Sequence, residues 1–295
     1  MICPSCPNNI ESKILYHSNH QKDAKHVKDV KCMSEIHFKP TLFKCKKCNL
    51  IFSEYINVKT EESYTAVEDD RYIQQIPFKK KNFELLFSKI SPYLKNNQEV
   101  LEIGSYYGIL GSIIKPHVKK YTGLELSKHA AEYSRKNFNL DIANEHLNEF
   151  LNKKNLFDVI IMCDVIEHLD NPFEIIKKIE KNLKKDGIFI FSTMNMDSIL
   201  PKIMRGKYFW IMPQHKFYFT NSTLKFFLKK NKMNIFKIKN DARLVSIEYL
   251  LFKLCVFLPK IDFIFKFLLK FNFLKKITIK INLFDLNIYF AKKID

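Results

Sequence analysis

The sequence predicts an α/β domain built on a largely parallel β-sheet, preceded by a small module rich in cysteine. Short apolar runs alternate with amphipathic stretches from about residue 96 to residue 240, and this βαβ rhythm is typical of a parallel sheet. Two Cys-x-x-Cys pairs lie within the first 57 residues, where hydrophobic periodicity is poor. A chain of 295 residues is long enough for one α/β domain and a small addition.

The individual elements follow from hydrophobic spacing. Apolar runs predict strands at residues 99–103, 120–124, 157–162, 187–193 and 286–291. Helical spacing predicts helices at residues 81–94, 109–115, 127–138, 172–184 and 222–230. Asn171 and Pro172 mark one helix start, because Asn caps a first turn well and Pro is tolerated there.

Shifts in composition divide the chain into three parts. Residues 1–57 are predicted to form a zinc-ribbon-like module. Residues 58–95 are predicted to be a polar linker and a lead-in helix. Residues 96–295 are predicted to form the α/β domain, with an apolar helical insertion at about 244–276.

The formal net charge of +18 raises the question of a nucleic-acid partner. Only four of the 49 basic residues are Arg, the side chain that forms bidentate hydrogen bonds with phosphate and guanine. We therefore expect no nucleic-acid substrate. No basic stretch followed by an apolar run comes after Met1, so the expected location is the cytoplasm, with membrane association left open by the apolar insertion.

The two cysteine pairs predict a structural zinc site. Their members are Cys3, Cys6, Cys45 and Cys48, and 38 residues separate the pairs. A two-residue spacer aims both sulfurs at one ion, and two such knuckles complete a tetrahedral thiolate site. Cys32 is an alternative ligand, and a redox dithiol is an alternative role, although redox motifs come singly. A closed four-thiolate site leaves no open position, so no catalysis is expected there.

A glycine turn predicts a cofactor site in the α/β domain. Glu102 ends an apolar strand, Gly104 and Gly108 flank the turn, and a helix follows. Glycine lets the backbone approach a ligand at the carboxyl end of a strand. Glu125 ends the next strand, 21 residues after Gly104, where a carboxylate can accept hydrogen bonds from both hydroxyls of a ribose.

A third segment resembles the class I S-adenosylmethionine methyltransferases. The strand at 157–162 runs into Asp164-Val165-Ile166-Glu167-His168-Leu169, which is similar to the fourth motif of the branch with ubiquinone-biosynthesis O-methyltransferases and sugar methyltransferases. The resemblance covers roughly residues 80–240, including Pro213 to Thr220. It implies a Rossmann-like methyltransferase sheet with flanking helices. An N-terminal four-cysteine module before such a core resembles some sugar C-methyltransferases.

The resemblance also implies which residues bind S-adenosylmethionine. These are Glu102, Gly104, Ser105, Gly108, Glu125, Leu126, His146, Leu147, Cys163 and Asp164. Two positions depart from the usual pattern. Tyr106 stands where the family usually has a glycine, and His146 stands where Asp is more common.

His168 and His215 are the candidate catalytic residues, because histidine titrates near neutrality and a hydroxyl or acidic carbon acceptor needs a general base. Each has an ordinary structural alternative, in which it only fixes its own loop. Asp158, at the start of its strand, is expected to be structural.

The expected function is methyl transfer to the oxygen or carbon of a small-molecule acceptor, with a sugar or lipid-linked glycan intermediate as candidates. The alternative is a methyltransferase acting on RNA or protein, with the zinc module holding the substrate. A third reading, a non-catalytic zinc adaptor, is disfavoured by the intact cofactor motifs. The insertion at 244–276 is expected to cover the acceptor site or form a dimer contact, with peripheral contact to an anionic membrane as the alternative.

Overall fold

A computed structural model describes residues 1–6, 10–18, 38–257, 259–271, 273–274 and 277–294. Cys32 lies outside these residues. The strands are β1 (Ser12–Tyr16), β2 (Leu42–Cys45), β3 (Ile51–Ser53), β4 (Glu99–Ile103), β5 (Lys120–Leu124), β6 (Ile142–Ala143), β7 (Phe157–Cys163), β8 (Leu183–Met194), β9 (Phe217–Tyr218), β10 (Met233–Asn240), β11 (Arg243–Ser246), β12 (Thr278–Ile281) and β13 (Leu286–Lys293). The α-helices are α1 (Glu61–Thr65), α2 (Asp70–Gln74), α3 (Ile76–Ile90), α4 (Ile109–Ile114), α5 (Lys128–Phe138), α6 (Leu147–Asn152), α7 (Pro172–Asn182), α8 (Ile199–Met204), α9 (Asn221–Lys230), α10 (Ile247–Phe257) and α11 (Asp262–Leu268).

The main sheet has seven strands in the order β10-β13-β8-β7-β4-β5-β6. Strands β4 to β8 pair in parallel, whereas β13 runs antiparallel between β8 and β10. The carboxyl ends of the parallel strands therefore meet at one edge of the sheet. The predicted parallel sheet with flanking helices is confirmed.

Both faces of the main sheet are buried. Leu101, Ile160 and Phe189 pack on one side, and Val100 and Ile161 pack on the other. Alternate residues of a strand point to opposite faces, so a strand covered on both faces reads as a continuous apolar run. This is why the apolar runs predicted these strands well.

The cysteine module shares its sheet with the main domain. Strands β1, β2 and β3 form an antiparallel sheet, and β9 from the main domain is its fourth strand. Phe52 of β3 pairs with Phe217 of β9. Both residues also lie in the core cluster that contains Cys3 and Cys45. The boundary at residue 57 stays a prediction, but the two parts are joined by backbone pairing and by a shared core.

The segment at 58–80, predicted as polar linker, contains α1, α2 and the first turn of α3. Asp69 caps α2 by accepting a hydrogen bond from the amide of Tyr72. The Ser127 hydroxyl donates to the carbonyl of Val67 at 2.7 Å. Asp69, Tyr72 and Val67 are buried, so this segment packs against the main domain rather than hanging free of it.

Strands β10 and β13 are neighbours in the main sheet. Between them the chain forms the antiparallel pair β11–β12 with α10 and α11 between its strands. We call residues 243–281 the apolar insertion. None of the helices within the described residues is both long enough and apolar enough to span a membrane.

Candidate functional site

The glycine turn lies at the carboxyl end of β4. Gly104 and Gly108 have φ of 74° and 72°, a left-handed conformation that favours glycine. A Cβ atom on Gly104 would lie 2.5 Å from a methyl carbon of Val165, so the turn also has no room for a side chain there. Tyr106, in place of the family's usual glycine, adopts φ of 46°. The predicted turn thus survives the substitution.

Glu125 lies directly beside this turn. Ile103 pairs with Leu124, and the amide of Gly104 donates to the Leu124 carbonyl at 2.8 Å. The two carboxylate oxygens of Glu125 accept hydrogen bonds from the amides of Tyr106 and Ser127, each at 2.7 Å. Burial nonetheless raises the pKa of Glu125 above its ordinary value. Each carboxylate oxygen keeps a second lone pair, which fits acceptance from ribose hydroxyls.

Glu102 is buried between β4 and β5. The Tyr121 hydroxyl donates to its carboxylate at 2.5 Å. Burial raises the pKa of Glu102 to about 8. The structure therefore places two acids at the ends of adjacent strands, one of them inclined to keep its proton at neutral pH.

An aromatic cover over the glycine turn was missed by sequence reasoning. The Tyr106 hydroxyl donates to Asp69 at 3.1 Å, and the amide of Asp69 donates to the Tyr107 hydroxyl at 2.9 Å. The ring of Tyr72 lies 4.6 Å from that of Tyr106 and 5.3 Å from that of Tyr107. Asp69, before a short amphipathic stretch, carries a helix-capping signal, but nothing in the sequence indicates that this helix reaches the turn.

His146 and Leu147, two further predicted cofactor-binding residues, follow β6 at the same edge of the sheet. His146 immediately precedes α6, and Leu147 is its first residue. The nearby Asn144 amide donates to the carbonyls of Glu125 and Leu126, at 2.8 and 2.9 Å. These contacts bring the end of β6 next to the residue pair that follows β5.

Cys163 and Asp164 stand at the carboxyl end of β7. The Ser192 hydroxyl donates to Asp164 at 2.6 Å, and the Arg243 guanidinium donates to it at 2.7 Å. Burial raises the pKa of Asp164, but the charge of Arg243 and the hydrogen bonds from Ser192 and Arg243 together outweigh burial, and the net pKa falls below the ordinary value. Burial raises the pKa of Cys163 well above its ordinary value. Asp164 is therefore a carboxylate, and Cys163 is a thiol.

Sequence reasoning also missed the role of Arg243. It comes from the first strand of the apolar insertion, and its guanidinium also lies 2.7 Å from Asp241, which in turn pairs with Lys89 at 2.9 Å. No local signal connects residue 243 to residue 164.

The two candidate histidines are in contact. Their ring centroids are 4.6 Å apart. Nδ1 of His168 lies 3.1 Å from the carbonyl of Gln214, and Nδ1 of His215 lies 2.9 Å from the carbonyl of Trp210. A carbonyl oxygen can only accept, so Nδ1 carries the proton in both rings and each Nε2 keeps a lone pair. Nδ1 of His168 also lies 3.2 Å from the Tyr64 hydroxyl.

Burial keeps both histidines neutral. It lowers the pKa of His168 to about 4 and lowers the pKa of His215 well below its ordinary value. Glu167 is also buried, and burial raises its pKa to about 8. The potential ligand atoms of Glu167, His168 and His215 lie within 4.8 Å of one another, a spacing at which they could bind one metal ion.

The four predicted metal ligands converge in the N-terminal module. The sulfurs of Cys3, Cys6, Cys45 and Cys48 all lie within 4.8 Å of one another. The Cys3–Cys48 and Cys6–Cys45 sulfur distances are 3.7 and 3.9 Å. With a Zn–S bond of ~2.3 Å, tetrahedral geometry requires sulfurs about 3.8 Å apart, so the cluster fits zinc. The amides of Lys47 and Cys48 point at the Cys45 sulfur, as in a knuckle that stabilises a thiolate.

An open sheet with its antiparallel strand next to the edge, a glycine turn at its centre and acids at adjacent strand ends defines a Rossmann-like S-adenosylmethionine-dependent methyltransferase fold. A model of the family described as "Methyltransferase domain" matches residues 73–235, and the chain belongs to this family.

The chain is also similar to curated proteins named ubiquinone biosynthesis O-methyltransferase. That of Actinobacillus pleuropneumoniae serotype 5b is 28% identical over 108 residues, which cover 33% of this chain and 46% of the relative. That of Histophilus somni is 29% identical over 108 residues, covering 33% of this chain and 45% of the relative. The chain thus spans about half the length of the curated relatives it matches.

A solved structure, a SAM-dependent methyltransferase from Archaeoglobus fulgidus, shares the fold. It superposes with a TM-score of 0.51 at 18% identity, covering 76% of this chain and 100% of that one. The predicted fold class is confirmed by this likeness and by the convergence of the four cysteines.

Proposed function

We propose that the chain transfers a methyl group from S-adenosylmethionine to an oxygen or carbon of a small-molecule acceptor. The observation that carries the proposal is the site at the carboxyl edge of the sheet. There the glycine turn after β4 lies between Glu125, which follows β5, and the end of β7, and the two neutral histidines, both later in the chain, contact each other. When bound, S-adenosylmethionine supplies a methyl group on a sulfonium, which is the electrophile.

In cofactor binding, the protein would orient S-adenosylmethionine and exclude water from it. Glu125 would hold the ribose hydroxyls, and the backbone at Gly104 would line the methionine end. Glu102 would lie below the bound cofactor, and the Asp164 region would lie beside it. The full proposed set remains Glu102, Gly104, Ser105, Gly108, Glu125, Leu126, His146, Leu147, Cys163 and Asp164.

His168 and His215 are proposed to take the acceptor's proton. Each has its Nδ1 proton directed at a carbonyl, which leaves Nε2 as the basic atom. Their lowered pKa keeps them unprotonated at neutral pH, although it also makes them weak bases.

The four cysteines are proposed to hold one structural zinc ion. The sulfur separations support this, and so does the small size of β1 to β3, which leaves little core of their own to stabilise them. No catalytic role is assigned to the metal.

The proposed acceptor is a small or lipid-linked molecule, with O-methylation favoured by the name of the curated relatives and a sugar or glycan intermediate kept as a candidate. Peripheral membrane contact through residues 244–276 is part of this proposal. Nucleic acid is disfavoured, because only four basic residues are Arg. A cytoplasmic location is the matching expectation.

The test is methyl transfer from labelled S-adenosylmethionine at physiological salt, offered separately to total RNA, a protein extract, and a small-molecule and lipid extract. Labelling is expected in the last fraction. Binding to RNA through Lys should appear only at low salt, because it depends on counterion release. Robust labelling of RNA alone would overturn the acceptor proposal. Absence of calorimetric binding by both the cofactor and its demethylated product would overturn the activity itself.

A further inference from the structure

The apolar insertion exposes an unusual number of large apolar side chains. Phe263 is 66% exposed, Phe267 57% and Phe273 64%, while Tyr249 and Phe252 of α10 are each more than half exposed. No residue of α11 is buried. Scattered exposed apolar residues are ordinary on a protein surface, but a contiguous group marks a surface that another body covers.

The exposed aromatics are contiguous along α11 and the turn after it. The ring of Phe267 lies 5.3 Å from that of Phe271, and Phe271 lies 6.0 Å from Phe273. Ile261 and Ile264, more than 40% exposed, extend the same stretch. We call the exposed side chains of Ile261, Phe263, Ile264, Phe267, Phe271 and Phe273, with Tyr249 and Phe252 of α10, the aromatic face.

Positive charge accompanies the aromatic face. Between residues 244 and 281 the sequence has seven Lys and two acidic residues, Glu248 and Asp262. One of those acids is already paired, since Lys266 lies 2.6 Å from Asp262. Lys260 and Lys270 are exposed or partly exposed at either end of α11. A second copy of this chain would bring like charges together, whereas an anionic lipid surface complements them.

The root of the insertion lies at the carboxyl edge of the main sheet, where the acceptor site lies. The amide of Asp241 donates to the Leu286 carbonyl at 2.8 Å, which closes the base of the insertion. Two residues further along the chain, the guanidinium of Arg243 donates a hydrogen bond to the carboxylate of Asp164 at 2.7 Å. The chain leaving β8 at this edge forms α8, where Ile199 and Ile203 are more than 70% exposed. Exposed apolar residues therefore occur on two connections that leave the main sheet at its carboxyl edge.

We propose that the aromatic face docks onto an anionic lipid bilayer and holds the acceptor site beside the membrane surface. The aromatic rings enter the interfacial region, and the Lys side chains bind lipid phosphates. That the acceptor is amphiphilic and enters from the bilayer rests on the proposed function. The docking deepens the membrane contact of the proposed function, and vesicle binding tests it separately from methyl transfer.

The experiment is cosedimentation of the full chain with vesicles of phosphatidylcholine alone and of phosphatidylcholine mixed with phosphatidylglycerol. The wild type is expected to bind the mixed vesicles preferentially, and high salt should weaken the binding. The double variant Phe263→Ser/Phe267→Ser should lose about tenfold or more in partitioning, because burying two aromatic side chains dominates such binding. The double variant Lys266→Glu/Lys270→Glu should lose the preference for anionic lipid.

Matched controls lie on α9, outside the insertion. Phe226 is 54% exposed, so Phe226→Ser removes an equally accessible ring, and Lys225→Glu/Lys229→Glu makes the same charge change. Both controls should bind vesicles as the wild type does. Equal binding of neutral and anionic vesicles by the wild type, or unchanged binding by both insertion variants, would overturn the proposal. So would a stable dimer in solution that the Phe263→Ser/Phe267→Ser change dissociates.

Calorimetry with the demethylated cofactor on the same samples separates this proposal from the activity. Cofactor binding without vesicle binding refutes the docking surface alone. Vesicle binding without cofactor binding supports the docking surface and refutes the proposed methyl transfer.

Discussion

The backbone amide of Ser53, in the cysteine module, donates a hydrogen bond to the carbonyl of Lys216 in the main domain at 2.9 Å. The amide of Lys216 donates in turn to the carbonyl of Glu167 at 2.8 Å. His215 precedes Lys216, and His168 follows Glu167. The cysteine module is therefore connected through two backbone hydrogen bonds to the segments that carry both candidate bases.

Replacing one cysteine ligand should lower turnover more than cofactor binding. Cys45→Ser is expected to remove zinc, destabilise β1 to β3 and displace the β9 segment, while leaving affinity for the demethylated cofactor nearly intact. Metal analysis, calorimetry and methyl transfer measure the three effects. Cys255→Ser, a thiol outside the cluster, is the control and should leave one zinc per chain. If metal analysis finds no zinc in wild-type protein that was purified without chelator, the metal site is contradicted.

Glu125→Ala should weaken cofactor binding by about 1–3 kcal/mol, the cost of removing a charged hydrogen-bond acceptor from a buried site. The same change leaves the amides of Tyr106 and Ser127 without their acceptor, so Glu125→Gln is the gentler companion variant. Glu132→Ala, on the exposed side of α5, is the control. Unchanged calorimetric affinity in both Glu125 variants would remove this residue from the cofactor site.

His168→Asn and His215→Asn should each keep cofactor affinity and reduce kcat, and the histidine that acts as base should show a fall of about 10²–10⁴-fold. Thermal unfolding of each variant shows whether the fold is retained. His117→Asn, an exposed histidine, is the control. If both variants turn over at the wild-type rate, the pair is structural and neither ring is the base.

Stability should fall as pH rises from about 6.5 to about 8 in the cofactor-free protein. Burial raises the pKa of Glu102 from 4.5 to about 8, so across this window the folded state retains a proton that the unfolded state has lost. Each such proton contributes up to about 1.4 kcal/mol per pH unit. Burial also raises the pKa of Glu167 to about 8, so Glu102→Gln should make the decline shallower and leave the share of Glu167 in place, as measured by denaturant unfolding at several pH values. Glu132→Gln should not change it, and an equally steep decline in Glu102→Gln would contradict the raised pKa.

Acidification below pH 6.5 adds an opposite contribution from the histidines. Burial lowers the pKa of His168 to about 4, so between these values the unfolded state binds a proton that the folded state excludes. Stability is then lost as pH falls. In the unfolded state the histidines lose their last protons only above about pH 7, so the contribution of Glu102 is the difference between the wild type and Glu102→Gln, which share this histidine contribution.

The sequence predicted the main sheet well because both of its faces are buried. Predicted strands 99–103 and 120–124 match β4 and β5 residue for residue, since their apolar runs end where the chain enters polar turns. The helix predicted to reach residue 184 ends at Asn182, because the backbone at Leu183 instead pairs with Phe157. The hydrophobic spacing within this segment does not show that Leu183 pairs with a neighbouring strand.

The site was predicted in parts rather than as a whole. Glu102, Gly104 and Glu125 carry local signals, namely strand ends and a turn that requires glycine. The contact between His168 and His215, and that between Asp164 and Arg243, join residues 47 and 79 positions apart through tertiary packing. The two-residue strand β9 is too short for any periodicity, so its pairing with β3 could not be foreseen either.

A hydrogen bond from the amide of Asp241 to the carbonyl of Leu286 joins the chain at the end of the strand pair β10–β13. The whole apolar insertion lies between these two residues in the chain. The entropy of closing a flexible loop grows only with the logarithm of its length, so that doubling the loop costs about 0.6 kcal/mol. The edge of the sheet therefore tolerates large changes in the length of this connection. The insertion can be rebuilt, shortened or exchanged between relatives while the fully buried Ile288 and Tyr289 of β13 hold the register that the fold requires.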